Sequence, residues 1–193
     1  MNDLKKLLSI AGPVILVQVG LMAMGMVDTI MVGHVSPAAI AAVALASTLF
    51  MVVATFGMGV IMSLDAVVAQ AIGAEDHPAA VRAFQRAIVL ACLVAVPTVL
   101  VLCLGEPMLR WTGQPAEVVP LAWDYLLTAL PGVLPFYWFI VMRSTLQAMH
   151  RLTPIVVTIA IANLLNALLN WVFIYGNLGS PAMGAGGALV RRA

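Results

Sequence analysis

Asp28 constrains this chain more than any other residue. Twenty-one uncharged residues separate it from Lys6, and thirty-six more separate it from the next formal charge, Asp65. A helix needs roughly 20 apolar residues to cross a hydrocarbon core of about 30 Å, so residues 7–33 are long enough to span a bilayer with some tilt. Asp28 would lie five residues from the outer end, about 8 Å below the far rim. A carboxylate at that depth is costly, and by default it marks an ion or proton path. The alternative is a neutral, pKa-shifted Asp hydrogen-bonded to a neighbouring helix for structure alone.

The rest of the composition agrees with a bilayer as solvent. Hydrophobic residues make up 63% of the chain, charged residues 9%, and mean hydropathy is +1.09, whereas soluble domains are about 25% charged. The sequence therefore predicts an all-α integral membrane protein folded as one transmembrane domain over residues 1–193. A net charge of +1 with scattered Lys and Arg gives no reason to invoke nucleic acid. Lys5 and Lys6 precede an apolar run about twice the length of a signal-peptide core, which reads as a retained first helix. Cys92 and Cys103 fall about 16 Å apart along one predicted helix, too far for a disulfide. No Walker loop, dinucleotide glycine fingerprint or His-Glu zinc pattern is present, and Asp28 and Asp65 fall near opposite membrane faces, so enzymatic chemistry is not indicated.

Four more spans follow the first. His34, Ser36 and Pro37 make a turn, and a second apolar stretch covers residues 38–73, too long for one straight crossing, which predicts tilt with protrusion or interfacial first turns. Residues 74–86 read as a solvated loop with an amphipathic entry into span three, span three as residues 87–104 with Pro97 inside, and residues 106–117 as a polar loop flanked by the interfacial aromatics Trp111 and Trp123. Span four, residues 121–142, carries Pro131 and Pro135, which predict a kink or a broken helix. Span five runs over residues 154–175, and a glycine-rich tail begins a sixth span that breaks off at Arg191, Arg192 and Ala193; five spans would leave these arginines outside, so the expectation is that the natural chain goes on or that its last residues are not the native continuation. Placing the N-terminus in the cytoplasm puts Lys5, Lys6, Arg82, Arg86, Arg143 and Arg151 inside and only Arg110 outside, as the positive-inside rule requires.

Asn163, Asn166 and Asn170 are spaced i, i+3, i+7, which confines them to an arc of about 60° on span five. Amide carbonyls are hard oxygen ligands. One nearby carboxylate would complete a site for Na⁺ or a proton, and Asp28 is the candidate because both lie in the outer halves of their spans. The alternative is that the asparagines only join helices. Asp65 either lines an inward cavity or pairs with a basic residue such as Arg143, Asp124 is solvated or capping, and Gln18 and Gln147 remain ambiguous. Seven of the twelve methionines, including Met24 and Met58, fall in spans one and two, where thioethers suit either a cavity for varied apolar ligands or ordinary packing.

Three segments, GPVILVQVGLMAMGMVDTIMVGHV (residues 12–35), GVIMSLDAVVAQAIGAED (residues 59–76) and NLLNALLNWVFIYG (residues 163–176), together resemble the multidrug and toxic compound extrusion (MATE) transporters of the NorM-like branch. The resemblance implies a twelve-helix antiporter of two six-helix lobes in a bacterial inner membrane, exporting organic cations or amphipathic drugs against inward Na⁺ or H⁺ flow, with no other cofactor. This chain would be most of the N-terminal lobe, and its C-terminal lobe would be missing. By the same resemblance Asp28 matches the essential first-helix carboxylate, Pro13 a first-helix hinge, and Asn166 and Asn170 the fifth-helix partners in the cation site, so Na⁺ would sit at Asp28, Asn166 and Asn170. Asn170 stands where relatives carry Asp, and Asp65 resembles a second-helix Asp of only some branches. Two other functions fit the fold: a lipid or saccharide flippase, which would favour a cavity rich in Arg or Lys where the spans here offer none, and a non-transporting fragment that needs a partner.

Overall fold

The computed structural model of the chain describes residues 2–33 and 36–173. Five stretches among them are long and apolar enough to cross a bilayer, at Val14–Met31, Pro37–Gly73, His77–Leu102, Val119–Ala148 and Thr153–Val172, and no strand occurs among the described residues. The predicted glycine-rich tail and sixth span lie outside the described residues. The helices are α1 (Asn2–Gly33), α2 (Pro37–Met62), α3 (Asp65–Gly73), α4 (His77–Leu102), α5 (Gly105–Trp111), α6 (Val119–Ala129), α7 (Val133–Ala148) and α8 (Thr153–Phe173).

The long second span does not tilt as one rod; it breaks. At Ser63 and Leu64 the backbone N–H groups donate to Val60 and Ile61 carbonyls three residues back, and the Ser63 hydroxyl donates to the Val60 carbonyl at 2.6 Å. Shortened bonds and a competing hydroxyl end α2 and restart the chain as α3. Asp65 falls in the first turn of α3, where a carboxylate complements the helix dipole. The anticipated ion pair with Arg143 is not formed, since the ion pair among the described residues is Arg110–Glu106.

In the 74–86 stretch the loop is confined to residues 74–76, and the amphipathic entry is already helix. Asp76 accepts the Ala79 N–H at 2.9 Å and Pro78 occupies the first turn, so α4 starts at His77 and carries Arg82 and Arg86 within it. The expectation that the spans hold no Arg is corrected accordingly. The 106–117 stretch contains the short α5, stitched by Arg110 to Glu106 at 2.7 Å. Span four is interrupted as its prolines predict. Leu130–Gly132 form a 3₁₀ turn between α6 and α7, with Pro131 in that turn and Pro135 in the first turn of α7, where neither missing donor is needed. Pro97, by contrast, is carried inside α4 without ending it.

The main core joins α2, α4, α6 and α7. Ala42, Ala46 and Ala54 on α2 meet an alanine stripe on α4 that repeats every four residues, Ala87, Ala91 and Ala95, all buried. Without a hydrophobic drive between helices in lipid, small side chains stabilise the contact by letting backbones approach. One polar side chain crosses this core: the Tyr137 hydroxyl pairs with Thr98 Oγ1 at 2.8 Å and donates to the Ala54 carbonyl at 3.2 Å. Gly57 makes room for it, because a Cβ there would collide with the Tyr137 hydroxyl.

A second, smaller cluster joins α1 to α8 through Val17, Ile155 and Ile159. Residues rise in step along the two helices, from Val17 beside Ile155 and Ile159 to Asp28 beside Asn166 and Asn170, so α1 and α8 run parallel. Parallel first and fifth spans are what five successive crossings demand. Their shared seam holds the polar residues described next.

Candidate functional site

Asp28 sits in the last third of α1, half-buried, facing α8. Its Oδ1 accepts hydrogen bonds from Asn166 Nδ2 at 2.8 Å and Asn170 Nδ2 at 2.6 Å. Asn170 Nδ2 also lies 3.5 Å from Asn166 Oδ1, which ties the two amides together. The i, i+4 spacing of the asparagines places them one turn apart on a single face, so one carboxylate oxygen can collect both donors. No described hydrogen bond reaches the other carboxylate oxygen among the described residues.

Asn163 shares the stripe but not the site. Its Nδ2 donates to the Gly20 carbonyl at 2.9 Å and to the Ile159 carbonyl at 2.9 Å. Gly20 permits this approach: a Cβ at that position would stand 2.5 Å from Ile159 Cγ2 and 3.8 Å from Asn163 Nδ2. Asn163 thus joins helices about two turns below the carboxylate, while Asn166 and Asn170 reach it.

On its other side Asp28 lines a cavity of about 220 Å³ with Gly25, Thr29, Ile40, Val43, Ala44, Ser47 and Tyr125. The walls come from α1, α2 and α6, and they bring three hydroxyls, those of Thr29, Ser47 and Tyr125, to the carboxylate's neighbourhood. Such a space holds several water molecules. Ser47 and Tyr125 carry no sequence signal, since a single Ser on an alanine-rich helix and a single Tyr on an apolar one read as ordinary packing. Thr29 already donates to the Gly25 carbonyl at 2.9 Å, which leaves its oxygen lone pairs free to accept.

The donor set has a definite chemistry. One carboxylate with neutral oxygens balances a single positive charge, and among the described residues no group of three or more His, Cys, Asp or Glu gathers to hold a multivalent metal. In the structure both amides present nitrogen to Asp28. A cation among the three side chains requires the amides to present oxygen instead, whereas a proton on Asp28 supplies one O–H and so turns at most one of them.

The other expected positions lie apart. Gln18 is exposed on α1, Met24 is half-buried there, and Met58 packs against the core of α2, α4, α6 and α7. None of these lines the cavity beside Asp28, and neither does Asp65. Pro13 falls within α1, and its side chain lies outside the described residues. Asp124 is half-buried in the second turn of α6 instead of capping it.

Residues 13–172 match the family model MatE. Among curated proteins, the chain is 34% identical over 192 residues to the multidrug resistance protein NorM of Vibrio vulnificus, covering 100% of this chain and 42% of that protein. It is 34% identical over 186 residues to NorM of Vibrio parahaemolyticus, covering 96% of this chain and 41% of the relative. The chain thus spans about two fifths of the length of the curated relatives it matches. Among solved structures, an outward-facing MATE family multidrug resistance transporter superposes with a TM-score of 0.79 at 24% identity, over 90% of this chain and 38% of that one. A MATE structure in the bent conformation superposes at 0.78 and 23% identity, over 90% of this chain and 39% of that one.

Proposed function

The chain belongs to the MatE family, and on that premise we propose that it forms the cation-binding lobe of an antiporter that exports organic cations or amphipathic drugs. The coupling ion is Na⁺ or H⁺, bound at Asp28 with Asn166 and Asn170. The observation that carries this reading is the convergence of both amides on one intramembrane carboxylate beside a hydroxyl-lined cavity. A carboxylate kept inside a span for helix packing alone would need neither the titratable group nor the adjoining space.

The ion drives transport only through differential affinity, because a cation bound equally by both conformations would shift nothing. Na⁺ turns the Asn166 and Asn170 amides from nitrogen-in to oxygen-in, a proton turns at most one of them, and either ion removes the net negative charge that holds α1 to α8. That change at the α1–α8 seam is the link to drug release. The N-terminus faces the cytoplasm in this reading, and Pro13 supplies the point at which α1 bends. A second lobe, as in the longer relatives, encloses the drug path.

The test is ion-driven efflux in proteoliposomes of the protein purified from its native membrane, wild type against Asp28→Asn. Loss of efflux with normal membrane insertion supports the reading; unchanged efflux overturns it.

A further inference from the structure

A groove of about 490 Å³ lies on the outer face of α4, lined by Leu64, Arg82, Gln85, Arg86, Val89, Leu90 and Leu93. Its lining alternates at helical spacing, so the polar residues occupy the first turns of α4 and the apolar ones continue the same stripe toward mid-helix. Leu64 closes one edge because the chain breaks there between α2 and α3. With 26 residues α4 is about 39 Å long, so centred on a core of about 30 Å it carries Arg86 roughly 9 Å below the boundary. An arginine at that depth pairs with an anion or extends to the headgroups. Neither Arg82 nor Arg86 enters an ion pair among the described residues.

We infer that this groove binds one anionic phospholipid, its phosphate held by Arg82 and Arg86 with Gln85 and one acyl chain laid along Val89, Leu90 and Leu93. Side chains on a helix lean toward its N-terminus, so both guanidiniums aim at the headgroup layer while the apolar stripe runs inward from them. Two guanidiniums one turn apart match a phosphate's oxygens better than a zwitterionic headgroup with its own cation. The apolar half of the groove selects a lipid over a free phosphate. The site is separate from Asp28 and does not depend on the proposed antiport.

Native mass spectrometry of the protein from mixed micelles tests it, with phosphatidylglycerol and phosphatidylcholine at equal concentration. We expect one phosphatidylglycerol to persist on the wild type, and its affinity to fall about thirtyfold when Arg82→Gln and Arg86→Gln are combined. Leu93→Trp, which fills the apolar end and keeps both charges, should also displace the lipid, and far-UV circular dichroism should show both variants folded. Arg110→Gln, outside the groove, should leave binding unchanged. Equal retention of the two lipids, retention in the double variant, or full competition by glycerol phosphate would each overturn the inference.

Discussion

Asn170 reaches across 142 residues of sequence to donate to Asp28 Oδ1 at 2.6 Å, and Asn166 donates to that same oxygen at 2.8 Å. Both donors are amide nitrogens, and one carboxyl oxygen collects them. In the proposed site the first response to an ion is therefore a rotation of these side chains, ahead of any bend in α1.

Asn170 and Asn163 provide a paired control. Asn170→Ala removes an amide from the carboxylate, and a hydrogen bond to a charged group contributes about 1.5–3 kcal/mol, so Na⁺ affinity measured by calorimetry should fall at least about tenfold. Asn163→Ala removes a contact to the Gly20 carbonyl instead. It should leave Na⁺ affinity within about twofold and destabilise the helix pair by about 0.6 kcal/mol. Equal effects from the two substitutions would refute the division of the stripe.

Gly20 sets the distance between α1 and α8. Gly20→Val places branched carbons where even a Cβ meets Ile159 Cγ2 at 2.5 Å. Overpacking of this kind costs about 1–3 kcal/mol. We expect a lower unfolding midpoint in denaturing detergent and a longer spin-label distance between α1 and α8, with Na⁺ affinity falling in parallel.

Tyr137 and Gly57 are coupled through one hydroxyl. Gly57→Ala drives a methyl against it and should destabilise the core by about 1–3 kcal/mol. Tyr137→Phe gives up bonds to Thr98 and the Ala54 carbonyl, at about 0.6 kcal/mol each in a bilayer, while Thr98 keeps its 2.9 Å bond to the Val94 carbonyl. Combined, the two changes should cost less than their sum, and a double-mutant cycle of unfolding energies measures the difference. Strict additivity would separate the two residues.

The size of the native product tests the proposed second lobe. Intact-mass measurement on protein from its native membrane should give about two and a half times the 20.3 kDa of this chain, from its share of the relatives' length. A mass near 20.3 kDa would assign efflux, if present, to this chain with a separate partner.

The five spans were legible because hydropathy is a local property: a run of about 20 apolar residues needs a helix across the bilayer whatever surrounds it. The asparagine stripe was legible for a similar reason, since 100° per residue fixes which side chains share a face. Prolines at 131 and 135 announced the break between α6 and α7. Ser63, with a commonplace side chain, gave no such notice of the break between α2 and α3, which depends on where its hydroxyl and N–H find partners.

What periodicity leaves open is which neighbour each face meets. Asp28 met Asn166 and Asn170 because parallel packing of α1 on α8 matches their heights, and Asn163 was diverted to a backbone carbonyl that only a glycine leaves within reach. Ser47 and Tyr125 came to the carboxylate from α2 and α6, and Arg82 and Arg86 entered a helix that a capping Asp76 begins ten residues earlier than the hydropathy profile places it. The sequence alone determined the number of crossings, the carboxylate of Asp28 inside the first of them and the amides able to answer it. Tertiary structure decided which amides do so, because contacts between helices depend on close approach of small residues and on matched heights, neither of which is written in any one segment.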